Sequence, residues 1–183
     1  MNKGKVVTVV AITTVVLNLM VLTTPVLAWH FNGWYWEAGP VDLYFLVEDD
    51  VDVLSWVGWY CAHLQWNEAE NSPTEFIYTE NPSIDVITCE YGYSSSSWVG
   101  KTWFNPIWPG VINYAGVMMN EYYTNDYEFY KRVAVGAHEF GHTLGLAHND
   151  GEHLMETWLD VFYGDYGIYY PTATDINEVN ARY

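Results

Sequence analysis

His138, Glu139, His142 and His148 are the residues of this chain whose types and spacing could do chemistry together. His138 and His142 are four apart, so on a helix they stand one turn above the other on the same side. Their imidazoles can then converge on one zinc ion, with Zn–N distances near about 2.0–2.1 Å. Gly145 comes three residues after His142. A residue without Cβ takes the left-handed conformation that ends a helix, which lets the chain turn back and bring His148 to the same metal. Three neutral nitrogens leave a fourth position for water. Glu139 directly follows the first histidine, where its carboxylate can take a proton from a water attacking a carbonyl. Zinc would lower that water's pKa to about 7 and polarise the carbonyl, so a nucleophile exists at neutral pH without serine or cysteine. Hydrolysis of a peptide bond is the reaction such a set suits.

These side chains need a helix, and the sequence predicts a long one within 126–150, ending in the ligand-bearing turn. Phe129, Val133, Gly136 or Ala137, Phe140 and Leu144 form a continuous apolar stripe at helical spacing, with His138 and His142 off its centre. A sheet must lie beneath it. Val41, Leu43, Phe45 and Val47 alternate with Asp42, Tyr44 and Leu46 as a strand does. A helix follows, capped by Asp50 or Asp52, and the recurrence of Val53, Val57, Cys61 and Leu64 sends Cys61 toward the core. Segments 75–79 and 84–89 read as short strands separated by the turn signal Asn81-Pro82. The serine tract 94–97 reads as a surface loop, the aromatic, Pro- and Gly-rich stretch 98–109 as a further loop, and 116–120 as one more strand. After Pro171, Thr172 to Asp175 give a capping-box start for a last helix, with Ile176, Val179 and Tyr183 on one face.

The run His138-Glu139-Phe140-Gly141-His142-Thr143-Leu144-Gly145-Leu146-Ala147-His148 fits HExxHxxGxxH, and on it the chain resembles the metzincin zinc metalloproteases. Within that clan it is most similar to the matrixins, whose usual filling is Leu144-Gly145-Leu146. The order of elements over 33–120 is similar too: first strand, long helix, two strands, aromatic loop and edge strand. The resemblance implies an α+β fold of the zincin type. Its parts would be a twisted mixed sheet, two long helices of which one carries the site, a methionine turn and a short carboxy-terminal helix. It implies a single catalytic zinc on His138, His142 and His148, with Glu139 as general base and later proton donor. Met155, the only methionine downstream, is the residue implied for the turn beneath the metal. Matrixins usually carry Tyr-Pro after that methionine, where this chain has Glu156-Thr157. A wall of the substrate pocket should therefore differ. No inhibitory cysteine motif and no second, structural zinc signature are present, and His30, His63 and His153 form no spaced ligand set. Tyr163 and Tyr166 are the candidates for a tyrosine that helps bind the oxyanion. Calcium is compatible with the many carboxylates, yet no EF-hand spacing names its ligands.

The first residues look like a secretion signal: Lys3 and Lys5, an uncharged run over 6–22, Pro25, and Val26-Leu27-Ala28 for cleavage after Ala28. Residues 1–28 are read as that signal and 29–183 as one catalytic domain. The alternative is an uncleaved anchor, because 6–27 is long enough to span a membrane. Export places Cys61 and Cys89 in an oxidising compartment, where a disulfide between them would stabilise the fold by roughly 3–4 kcal/mol. With Lys+Arg 6 against Asp+Glu 23, a formal charge of -17, the chain has no basic stripe with which to hold nucleic acid. At 50% hydrophobic and 18% aromatic it can nevertheless bury a core. The expectation is a secreted, monomeric zinc endopeptidase acting on peptide or protein substrates. Its competitors are a zinc-holding binding module that uses its aromatic surface without catalysis, and the same protease tethered to a membrane.

Overall fold

The computed structural model describes residues 31–84 and 86–183. The signal-like segment, its tether alternative and His30 lie outside the described residues. Among the described residues, no helix is long and apolar enough to cross a membrane.

A single sheet holds β1 (Tyr35–Trp36), β2 (Leu43–Val47), β3 (Phe76–Tyr78), β4 (Ile87–Gly92), β5 (Gly100–Trp108) and β6 (Val111–Asn120). β5 runs antiparallel along one edge of β6 from Val111 to Met119. The other edge is shared in parallel by β4, opposite Ala115–Asn120, and by β1, opposite Val111 and Ile112. β2 and β3 continue the sheet in parallel beyond β4, which gives the order β3-β2-β4-β6-β5. Parallel neighbours need a long crossover, and α1 (Val53–Glu68) supplies it between β2 and β3. The site-bearing helix α3 (Phe129–Thr143) follows the one-turn α2 (Glu121–Thr124). A π-helical turn (Asp160–Asp165) and the closing helix α4 (Ala173–Arg182) complete the chain. The architecture is mixed α/β with a mostly parallel sheet, two long helices and a short final one, which is compatible with the α+β class expected.

β2 buries Leu43, Phe45 and Val47 and leaves Tyr44 and Leu46 half-buried, in keeping with its alternation. Asp52 caps α1 by accepting from the N–H groups of Leu54 (2.9 Å) and Ser55 (3.2 Å). The same carboxylate faces the buried guanidinium of Arg132, 3.2 Å away, which joins the start of α1 to α3. α1 and α3 pack on each other and on the sheet around Phe140. The Phe140 ring lies 4.7 Å from that of Phe76, 5.5 Å from Phe45 and 5.7 Å from Trp59. Each such buried ring contributes about 1.5–3 kcal/mol, and together they fix the height and rotation of α3 over the sheet. Trp66 adds a directed bond, its indole N–H donating to Ala137 O at 2.8 Å.

Three expectations need correction. α1 buries Ser55, Gly58, Trp59, Ala62, His63 and Trp66. At about 100° per residue this face is nearly opposite the stripe of Val53, Val57, Cys61 and Leu64. The indole rings of Trp59 and Trp66 outweigh the smaller aliphatic stripe, and Val53 ends up 76% exposed. Cys61 therefore turns to the flank of the helix while Cys89 is enclosed within the core, and both are free thiols: the Cys61–Cys89 disulfide is not formed. Burial raises the pKa of both, Cys89 well above the ordinary thiol value, which leaves them poorly reactive. Next, 98–109 is largely a strand and not a loop, because Trp103, Phe104 and Ile107 suit a pleated edge. Pro106 is tolerated there, since the ladder of β5 shifts register on either side of it. Consequently 116–120 belongs to the inner strand β6, and β5 is the edge. Finally, the strand expected at 84–89 starts and ends three residues later, at Ile87–Gly92.

His63 is buried, with its ring 4.8 Å from that of Phe45, and burial pushes its pKa down to about 4. The unfolded chain protonates this group near pH 6.5, so stability present above that pH is lost as the pH falls from about 6.5 toward 4. Urea unfolding of wild type and His63→Leu at pH 7 and pH 5 should show the variant losing less stability on acidification. Equal losses in the two proteins would contradict this assignment.

Candidate metal centre

His138 and His142 leave α3 from successive turns, and the helix ends immediately beyond them. Gly145 adopts φ +86°, and Leu146 N–H reaches back to Gly141 O at 3.2 Å, so the chain reverses within one turn. The carbonyl of Trp34 also packs where a Gly145 Cβ would stand, a second reason for glycine there. His148 is thereby returned to the two helical histidines. Its Nε2 lies 3.1 Å from that of His138 and 3.2 Å from that of His142.

The outer ring nitrogens define what the inner ones do. His138 Nδ1 lies 2.8 Å from Leu154 O, and His142 Nδ1 lies 2.9 Å from Leu146 O. A carbonyl can only accept, so each Nδ1 carries the proton and each Nε2 presents a lone pair inward. His148 has at most one proton to offer two lone pairs. The three ligand atoms lie within 4.8 Å of one another, a spacing that suits a cation between them. Zn–N bonds of about 2.0–2.1 Å make a tetrahedral edge of roughly 3.3 Å, close to the two observed separations. Neutral imidazoles are the form that binds metal, and burial lowers the pKa of all three, most strongly His138, where the neighbouring His142 adds to the effect. The triad can hold a divalent metal ion.

Other parts of the chain hold the ligands in place. The turn 153–155 offers the Leu154 carbonyl to His138, and this turn is fastened by the fully buried Asp175 of α4. Its carboxylate accepts from Leu154 N–H and Met155 N–H, each at 3.1 Å, and from Thr172 N–H at 2.7 Å and Thr172 Oγ1 at 2.8 Å. The capping box read from the sequence is thus also the anchor of the turn. Met155 is wholly buried under α3, against Gly141. At the amino-terminal side, Asn32 Nδ2 donates to His142 O at 3.0 Å and Trp36 Nε1 to Thr143 O at 2.8 Å. Thr143 O is one of the carbonyls that the end of a helix leaves unpaired, while His142 O also accepts from Gly145 N–H at 3.0 Å. Phe31 bridges to Leu146, the residue whose carbonyl orients His142.

Glu139 projects beside the triad at the floor of two adjoining cavities of about 330 Å3 each. Trp98, Val135, Trp158 and Phe162 give the first cavity apolar walls, while Trp34, Phe104, Asn32 and Lys101 line the second. Trp34 and Phe104 stack at 5.5 Å. Phe162 stacks on the His138 ring at 5.3 Å and 10°. Burial pushes the Glu139 pKa up to about 8, against the opposing effect of a hydrogen bond from Thr102. A cation at the triad would favour the ionised carboxylate.

Of the residues expected at the site, His138, Glu139, His142 and His148 come together and Met155 lies beneath. Tyr163 and Tyr166 line neither cavity, and the Tyr163 hydroxyl is engaged by Glu128. His63 and His153 are not among the converging ligands, and both are buried. Glu156, at the unusual position after Met155, is buried and accepts from Gly151 N–H at 2.8 Å and Trp158 N–H at 3.4 Å. It thereby folds the 151–158 loop into the wall of the first cavity. Sequence reading missed Thr102, Gly100, Asn32 and the anchoring role of Asp175, all brought in from distant parts of the chain. No protein-family model matches the chain, and no curated protein matches its sequence.

Metal analysis of purified protein should find one divalent ion per chain. His138→Ala and His142→Ala should abolish that stoichiometry, whereas His63→Ala and His153→Ala should keep it. Retention of one ion by His142→Ala would refute the triad as the metal site.

Proposed function

We propose that the protein is a zinc-dependent endopeptidase of the metzincin type, most similar to the matrixins. Residues 1–28 would serve as its export signal and 29–183 as its catalytic domain. The observation that carries this reading is the placement of Glu139, an enclosed carboxylate one residue from a metal ligand and open to the cavities flanking the triad. Zinc at the triad would polarise a substrate carbonyl and acidify an attacking water. All other steps fall to the chain's own residues. Glu139 takes the proton from the water as its oxygen attacks the carbonyl carbon, then gives it to the departing amine nitrogen as the C–N bond breaks.

A peptide suits the cleft better than a small ester or amide. β5 pairs only with β6 among the described residues, so its outer edge, at Gly100–Thr102 beside Glu139, carries free backbone groups. An extended peptide can add to such an edge through main-chain hydrogen bonds, which draws a backbone of any sequence past the metal. The apolar first cavity would then receive one side chain and exclude water around it. The buried Met155, the closing helix α4 and the antiparallel edge strand on an otherwise parallel sheet agree with this family reading.

Hydrolysis of an unfolded protein substrate by wild type and by Glu139→Ala, at equal zinc content, tests the proposal. Loss of general-base help should slow cleavage at least about 100-fold. If both hold zinc and neither cleaves, the protein is a zinc-containing binding module, and the peptidase reading fails.

A further inference from the structure

We propose that Thr102 is a positioning residue for Glu139, its hydroxyl committing one carboxylate oxygen so that the other faces the attacking water. The proposal rests on the peptidase reading above for its chemistry and on the following geometry for its residues. Thr102 Oγ1 lies 2.6 Å from Glu139 Oε2 and 3.1 Å from the main-chain oxygen of the same residue. Both oxygens are within reach of one hydroxyl, which can serve only one of them fully. A hydroxyl has a single proton, and the shorter distance places it on the carboxylate. Glu139 is only 5% exposed, and Thr102 is the one side-chain donor to its carboxylate among the described residues.

The other oxygen is kept free by an omission. Gly100 stands two positions before Thr102, on the same face of β5, and a Cβ there would overlap Glu139 Oε1. Oε1 occupies that space with no donor directed at it. The two oxygens of one carboxylate therefore differ: Oε2 is held and Oε1 is available. Oε1 takes the proton from water as the new C–O bond forms and passes it to the amide nitrogen as the C–N bond breaks. Oε2 keeps its hydrogen bond to Thr102 throughout, so the side chain need not be re-ordered between the two transfers. The net change is one water consumed, with an amine and a carboxylic acid released.

Thr102 and Gly100 belong to the strand whose free edge would receive the peptide, so the element that aligns the substrate also aligns the base.

The test compares Thr102→Val, which keeps the shape and removes the hydroxyl, with Thr102→Ser, which keeps the hydroxyl, beside wild type and Glu139→Ala. Thr102→Val should lose about 10- to 100-fold in kcat, the range expected for a hydrogen bond to a charged group, with KM nearly unchanged. Thr102→Ser should recover most of that loss. Zinc affinity by chelator competition and the melting temperature should stay at wild-type values in both. Unchanged kcat in Thr102→Val, a loss not rescued by serine, or a loss that tracks zinc release would each overturn the proposal. Crystal structures of the same proteins give a readout independent of turnover. The Glu139 carboxylate should keep one orientation in wild type and Thr102→Ser and spread over several in Thr102→Val. A single unchanged orientation in Thr102→Val overturns the proposal even if the chain proves not to be a peptidase. Failure of wild type to cleave, with that spread observed, would count against the peptidase reading alone.

Discussion

Three imidazole nitrogens brought to one point can share at most one proton, which leaves lone pairs that repel one another until a cation lies between them, and much of this chain is arranged to hold them there regardless. Each helical histidine is locked by a carbonyl behind it, Leu154 for His138 and Leu146 for His142. Those carbonyls are held in turn. Asp175, from the last helix, grips the backbone of Leu154 and Met155, while Phe31, near the start of the described chain, pairs with Leu146. The beginning and the end of the fold thus meet behind the ligands. Arg182 closes the circuit by donating to Trp34 O at 2.9 Å and lying over the Phe31 ring. Such backing supplies the rigidity that a metal site needs if its ligands are to stay poised without the ion.

The other half of the requirement is met by α3 itself, which serves two surroundings at once. Phe140 and Ala137 face the aromatic core, and the adjacent His138 and Glu139 face the cleft. Because the rings of Phe45, Phe76 and Trp59 surround Phe140, the helix cannot roll without breaking dense packing. The direction in which the imidazoles point is therefore set by a hydrophobic cluster that contains none of the chemistry.

What could be read from the sequence was what depends on short separations along the chain. The ligand spacing, the glycine that ends α3, the alternation of β2, the cap at Asp52 and the capping box at Thr172 are all decided within a few residues. The face of α1 was not, because Val53, Val57, Cys61 and Leu64 make as regular a stripe as the one that is buried. Contacts made far along the chain choose the other face, with Trp59 against Phe140, His63 against Phe45 and the Trp66 indole on Ala137 O, and that rotation leaves Cys61 on the flank of the helix. The strand in 98–109 was hidden by its prolines, which read as loop until its place at the sheet edge is known. Thr102 and Gly100 lie far along the chain from Glu139, and no local pattern marks a hydroxyl or a missing Cβ as belonging to a carboxylate in another element. Their roles follow from the pairing of β5 with β6, which sets their height above α3.

The exposed edge of β5 has a further consequence, for the behaviour of the protein at high concentration. A strand with open backbone groups will pair with any extended segment, including the same strand of another copy, which is the first step of edge-to-edge aggregation. Here the ladder is regular only from Gly100 to Asn105 and is then broken at Pro106, where the register shifts. Proline offers no N–H to a partner, so a second β5 could match only this short run before losing register. The large negative charge carried by every copy adds a repulsion that grows as two such edges approach. A neutral segment would meet neither obstacle over so short a length, so the edge is more open to such a segment than to a second copy of the chain.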